Sequence, residues 1–208
     1  LFYIVRNFKL LQLLEKSLSE SKYFKKLNLK INENICQKYN LIINTDNNNS
    51  IAKKFFSKKI VKKYDSQAFT TLIEHEKISN NIATQIFTKK GPLAFLPISN
   101  YETSIVYSVR GEKKINLENL IKKYNFKYEI TNINKISNFE LTASDLRKYH
   151  FKNILAFGEL LHKVHPLAGQ GFNMSIRDIR LLMKLIKLNS NLGLELGSSI
   201  CINFEKKI

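Results

Sequence analysis

The stretch from Asn153 to Leu188, NILAFGELLHKVHPLAGQGFNMSIRDIRLLMKLIKL, constrains the fold of this 208-residue chain more than any other part. It opens on an apolar run, Asn153 to Phe157, closed by Gly158 and short enough for a central strand of an α/β sheet. The loop from Glu159 to Gly171 then holds one acid, two of the four histidines in the chain, a proline and two glycines. Beyond it, Phe172, Ile176, Ile179, Leu182 and Ile186 recur at helical spacing. That spacing predicts a helix burying this face, with Arg177, Arg180, Lys184 and Lys187 lying off it. Strand, loop and helix N-terminus is the arrangement in which α/β proteins offer backbone N–H groups to an anionic ligand.

The loop residues resemble a known motif at many fixed offsets. Gly158-Glu159-Leu160-Leu161-His162, then His165-Pro166, Gly169-Gln170-Gly171, Asn173 and Arg177-Asp178, are similar to the second FAD-binding motif of flavin-dependent aromatic hydroxylases. Ala168 to Asn173 and Arg177-Asp178 resemble most narrowly the ubiquinone-biosynthesis branch. Glu159 stands where that family has Asp, and Leu160 and Leu161 stand where it has two alanines. The resemblance implies that Gly158, Glu159, Pro166, Gly169, Gln170, Gly171 and Asn173 contact FAD, with Pro166 against the flavin ring. It also implies that small residues at 160 and 161 would suit the ribityl chain better than leucines.

The chemistry of these residue types agrees. An acid at a strand end accepts hydrogen bonds from ribose or ribityl hydroxyls. Glycines let the backbone approach a flat ring, and a glycine-type backbone is expected at Gly171. A helix N-terminus suits the electron-rich edge of a reduced flavin.

A second match precedes it. The short buried strand Leu41 to Ile43 leads into Asn44-Thr-Asp46-Asn47-Asn-Asn-Ser50-Ile-Ala-Lys53. This is similar to the family's Gly-Ala-Asp-Gly-Ala-Asn-Ser motif, whose Asp helps hold the flavin, and assigns Asp46 to the cofactor by position. Asn47 replaces a glycine there, and Asn is the non-glycine residue that best tolerates a positive φ. Lys53 replaces an arginine and loses its bidentate fork.

Between these segments, residues 58 to 145 read as a strand-rich region with strands at 67–75, 81–88, 93–96 and 104–109 and a helix capped by Asn116. Alternation at Leu27, Leu29 and Ile31 predicts a further strand, and Asn7 is placed as the cap of an early helix bearing Phe8, Leu11, Leu14 and Leu18. Gly91-Pro92-Leu93-Ala94-Phe95-Leu96-Pro97 resembles a segment of the same branch, where it belongs to the sheet roofing the substrate.

Taken together, the resemblance implies an α/β fold: a partial FAD-binding domain of the p-hydroxybenzoate hydroxylase type with an inserted β-rich substrate domain. The boundaries expected are 1–57 and 150–208 for the FAD-binding parts and 58–149 for the insertion. The implied activity is a monooxygenase using FAD, NAD(P)H and dioxygen to hydroxylate a polyprenylated phenol on the way to ubiquinone. No G-x-G-x-x-G occurs, so a fragment lacking the N-terminal nucleotide-binding unit is expected. A non-catalytic remnant of the same fold is the alternative. No side chain is named as an acid–base catalyst; His165 is the one loop histidine singled out for testing, with a structural role favoured for it.

Composition narrows the partners. The net charge of +17 first suggests nucleic acid, but the lysines are spread along the chain and no nucleic-acid motif accompanies them. No nucleic acid is therefore expected, and peripheral contact with an anionic membrane surface is preferred. Cys36 and Cys201 form neither a disulfide framework nor a metal site, so no metal and a cytoplasmic setting are expected.

Overall fold

The computed structural model describes residues 5–28, 33–111, 115–164 and 170–208. In chain order its elements are α1 (Asn7–Ser19), β1 (Ile42–Asn44), α2 (Ser50–Phe55), β2 (Lys59–His75), β3 (Thr84–Thr88), β4 (Gly91–Pro97) and β5 (Glu102–Arg110). Then follow α3 (Leu117–Tyr124), β6 (Ile130–Ile133), β7 (Ser137–Leu146), β8 (His150–Phe151), β9 (Ile154–Ala156), β10 (His162–Lys163), α4 (Gln170–Asn191) and α5 (Ser198–Lys207). The chain divides into two compact units, Leu1–Asn28 with Asp65–Leu141, and Leu29–Tyr64 with Thr142–Ile208.

The first unit is built on antiparallel pairing of β2 with β5, β5 with β4 and β4 with β3, with β6 on the far side of β2. From Phe69 onward β2 alternates buried and half-buried residues, the period of a strand with one face on a core. That core gathers Phe69, Ile73, Leu93, Phe95, Ile105 and Tyr107 from the sheet, closed by Leu117 and Ile121 of α3. Asn116 caps α3, its Oδ1 accepting from the Asn119 N–H at 3.0 Å, as its position predicts. Gly91 opens β4 at φ +150°, and a Cβ there would run into the Ser108 carbonyl of β5. Only glycine permits that approach.

The second unit has a three-stranded sheet in the order β1-β9-β8. β9 lies parallel to β1, in the register Ile42↔Ile154 and Asn44↔Ala156. All three residues of β9 are buried, as the apolar run predicts. α2, α4 and α5 pack around it through Ile51, Ala52, Leu182, Leu185, Ile200 and Phe204.

Four expectations need correction. α4 begins earlier than the apolar pattern suggests, at Gln170, and of the expected face only Leu182 and Ile186 meet the core. Asp178, Leu182, Leu185 and Asn189 point inward, whereas Phe172, Ile176 and Ile179 are exposed. No strand forms over residues 22–28; Leu29 and Ile31 lie outside the described residues. Asn7 is already helical, with Arg6 at the cap position and no side-chain bond there. The strand expected over 81–88 is limited to β3.

Candidate functional site

Parallel pairing of β1 with β9 sends two loops out from the same end of the sheet. Phe157 N–H donates to the Asn44 carbonyl at 2.9 Å, so the strands stay joined to the last residue of each. In open α/β sheets this carboxyl end is where ligands bind. Asp46 stands on one loop and Gly158-Glu159 on the other, with Asp46 and Glu159 both exposed.

The first loop is held by amides. Asn49 Nδ2 donates to Asn44 Oδ1 at 2.7 Å, and Asn44 Nδ2 returns a bond to Asn49 Oδ1 at 3.3 Å. Asn44 Oδ1 also accepts from the Asp46 N–H at 3.2 Å, and Asp46 Oδ1 accepts from the Asn48 N–H at 2.8 Å. Asn49 Oδ1 further caps α2 by accepting from the Ala52 N–H at 2.8 Å. These bonds form the turn without a left-handed residue; the positive-φ non-glycine residues described are Asp65 and Lys152. Asn47 therefore does not replace its glycine by backbone tolerance. Its Oδ1 instead accepts from Lys59 Nζ at 2.8 Å.

In the second loop Gly158 takes φ +61°, and a Cβ there would meet no atom within 4 Å. A side chain is thus excluded by backbone conformation, and the space above the turn is open. Leu160 and Leu161 do not line that space. They are 1% and 0% exposed and belong to the core of the unit, which overturns the expectation that they stand beside a ribityl chain.

At the far end of the loop, Gln170, Gly171, Phe172 and Asn173 form the exposed first turn of α4. Gly171 is helical, not left-handed, and an added Cβ would make only an ordinary 3.7 Å contact with Val164 Cγ2. The glycine-type backbone expected at Gly171 is instead found at Gly158. His165, Pro166 and Gly169 lie outside the described residues.

Sequence reasoning missed several partnerships in this unit. His162 Nε2 lies 2.9 Å from Oδ2 of the buried Asp178, a contact across sixteen positions that no periodicity foretells. The Tyr149 hydroxyl donates to Asp145 at 3.3 Å, and burial, reinforced by that carboxylate, raises the phenol above its ordinary range. His150 Nδ1 pairs with Glu205. A cavity of about 360 Å³ is lined by Lys62, Tyr64, Asp145, Tyr149, His162 and Arg177, among others. The Asn44–Asn49 clasp had a visible signal, an asparagine-rich run directly after a strand.

The arrangement fits a dinucleotide or flavin better than a metal: exposed acids at strand ends, an open glycine turn and a helix N-terminus. No cluster of three or more metal-binding side chains occurs among the described residues. Comparison with known proteins agrees with the geometry. The family model described as FAD binding domain matches residues 62–191. The chain is 26% identical over 146 residues to the ubiquinone hydroxylase UbiL of Rhodospirillum rubrum, covering 65% of this chain and 34% of that protein. It is 28% identical over 203 residues to the human mitochondrial ubiquinone biosynthesis monooxygenase COQ6, covering 76% and 43%. The chain therefore spans less than half the length of these relatives. Among solved structures, the flavin-dependent halogenase CmlS superposes with a TM-score of 0.61 at 13% identity, over 80% of this chain and 33% of that one, a likeness of fold.

Proposed function

Because this chain belongs to the FAD-binding-domain family, we propose that it forms part of an FAD-dependent monooxygenase acting on a phenolic ring with a polyprenyl tail. The one observation that carries the reading is the meeting of the Asp46 and Gly158-Glu159 loops at the carboxyl end of β1 and β9. Both motifs were separate in sequence, and the fold brings them to one edge. The names of the relatives, a ubiquinone hydroxylase and a ubiquinone biosynthesis monooxygenase, support the substrate class.

Asp46 and Glu159 would accept hydrogen bonds from ribose and ribityl hydroxyls. The exposed N–H groups of Gln170 and Gly171 would face the flavin edge, with Pro166 and Gly169 assigned by the motif. FAD itself supplies the activation of dioxygen, with electrons from NAD(P)H; the protein orients the ring and excludes water. Contact with an anionic membrane would give access to a substrate with an isoprenoid tail.

The test uses Gly171, where the fold itself has room for a side chain. Gly171→Leu should leave the melting temperature close to that of the parent, since the residue is exposed in the first turn of α4 and an added Cβ makes only an ordinary 3.7 Å contact. Its flavin content after gel filtration should collapse, because the new side chain enters the space the ring needs. A variant that keeps both its melting temperature and its flavin would remove this turn from the cofactor site.

A further inference from the structure

Among the described residues, Asp178 is the one carboxylate wholly removed from solvent. It is also the first buried residue of α4: every residue from Gln170 to Arg177 is exposed or half-buried. The apolar anchors of the helix, Leu182 and Leu185, come only later. The contact at Asp178 is therefore the first fully buried one that the N-terminal part of α4 makes, beside the half-buried Met174.

That contact is with His162 on β10, whose Nε2 lies 2.9 Å from Asp178 Oδ2, the two side chains being 9% and 1% exposed. The two polar atoms thus meet at close range, off ideal hydrogen-bond geometry, with no other hydrogen-bond partner for either side chain among the described residues. Arg177 Nη2 stands 3.6 Å from the other oxygen. Burying a carboxylate with so few partners is costly compared with an apolar residue of the same size. Leucines at both positions would restore the melting temperature, which the whole unit sets, but without the directed contact between His162 and Asp178 the first turns of α4 would open locally more often.

We propose that His162 and Asp178 are positioning residues, which set the first turn of α4 against β10 and so aim Gln170, Gly171 and Asn173 at the flavin. The flavin part rests on the function proposed above; the anchoring part does not. His162 and Asp178 themselves need touch no cofactor.

The experiment compares the full chain with Asp178→Ala and with the double variant His162→Leu/Asp178→Leu. Asp178→Ala strands the histidine and is expected to melt lower. The double variant removes both buried polar groups, so its melting temperature should match the parent. Hydrogen exchange without FAD is read at the amides of Met174 to Arg177, which bond to the carbonyls of Gln170 to Asn173. These should exchange about tenfold faster in the double variant, as local opening is eased. If the competent orientation falls to about a tenth of the population, the Kd for FAD rises about tenfold. Parent-like exchange in the double variant would overturn the anchoring. Faster exchange with parent-like FAD affinity would overturn the positioning toward flavin. A melting loss as large as that of Asp178→Ala would assign the pair to stability alone. Faster exchange in a protein whose parent also ignores FAD would support the anchoring and sink the flavin reading instead.

Discussion

At the scale of single residues, the candidate site is held by side-chain amides that bond within the protein. Asn49 closes two jobs in one amide, capping α2 and clasping Asn44 at the end of β1. Asn49→Ala should cost about 1–2 kcal/mol of stability, the scale of a lost cap, with a loss of flavin retention in parallel; denaturant melts with flavin absorbance check both. Leu160 and Leu161 give a sharper contrast. Restoring the alanines of the related motif should not help the cofactor, because both leucines fill the core. Either Leu→Ala change should cost about 2–5 kcal/mol. Cys201 adds a pH dependence: burial pushes its thiol from 9.0 up to about 12. The fold holds the proton that the unfolded chain releases, so stability is intact below pH 9 and falls as pH rises toward 12. Melting temperatures between pH 8 and pH 11 should decline less steeply in Cys201→Ala; Tyr149, shifted the same way, accounts for part of what remains.

Among the elements, α4 carries the most information. Its sequence has more apolar residues than one face can bury, so periodicity alone cannot say which stripe turns inward. Leu182 and Leu185 pack against the core with α5, while Ile179 and Met183 are 45% and 60% exposed. Leu182→Ala should therefore cost about 2–5 kcal/mol, and Ile179→Ala less than about 0.5 kcal/mol, measured by urea unfolding. Equal losses would return the helix to the face its spacing suggests. In the other unit, Gly91→Ala should disrupt the β4–β5 pairing, since the methyl meets the backbone of Ser108 and neither strand can yield alone. Loss of cooperative melting would report it.

The whole molecule is dominated by its charge of +17, and among the described residues no helix is long and apolar enough to cross a membrane. Binding to vesicles containing anionic lipid should be strong at low salt and reversed by about 0.5 M salt, with little on neutral vesicles. Sedimentation with vesicles measures this. Binding indifferent to salt would take electrostatics out of the membrane argument. α1 bears on the same experiment: it buries none of its residues, and Phe8, Leu11, Leu14 and Leu18 are all exposed.

The amino-acid sequence alone located the buried strand of the candidate site and the turn that closes it. Apolar runs, glycines and fixed motif offsets are local features, and β9, the turn at Gly158 and the cap at Asn116 all follow from them. It did not determine which face of α4 is buried, or that His162 meets Asp178. Those depend on what lies opposite in space: β10 on one side and the α5 core on the other. The same holds for Leu160 and Leu161, whose place in a motif pointed to the cofactor and whose side chains point to the core. Chain-local patterns encode backbone geometry; side-chain direction is decided by packing, which exists only once the fold is complete.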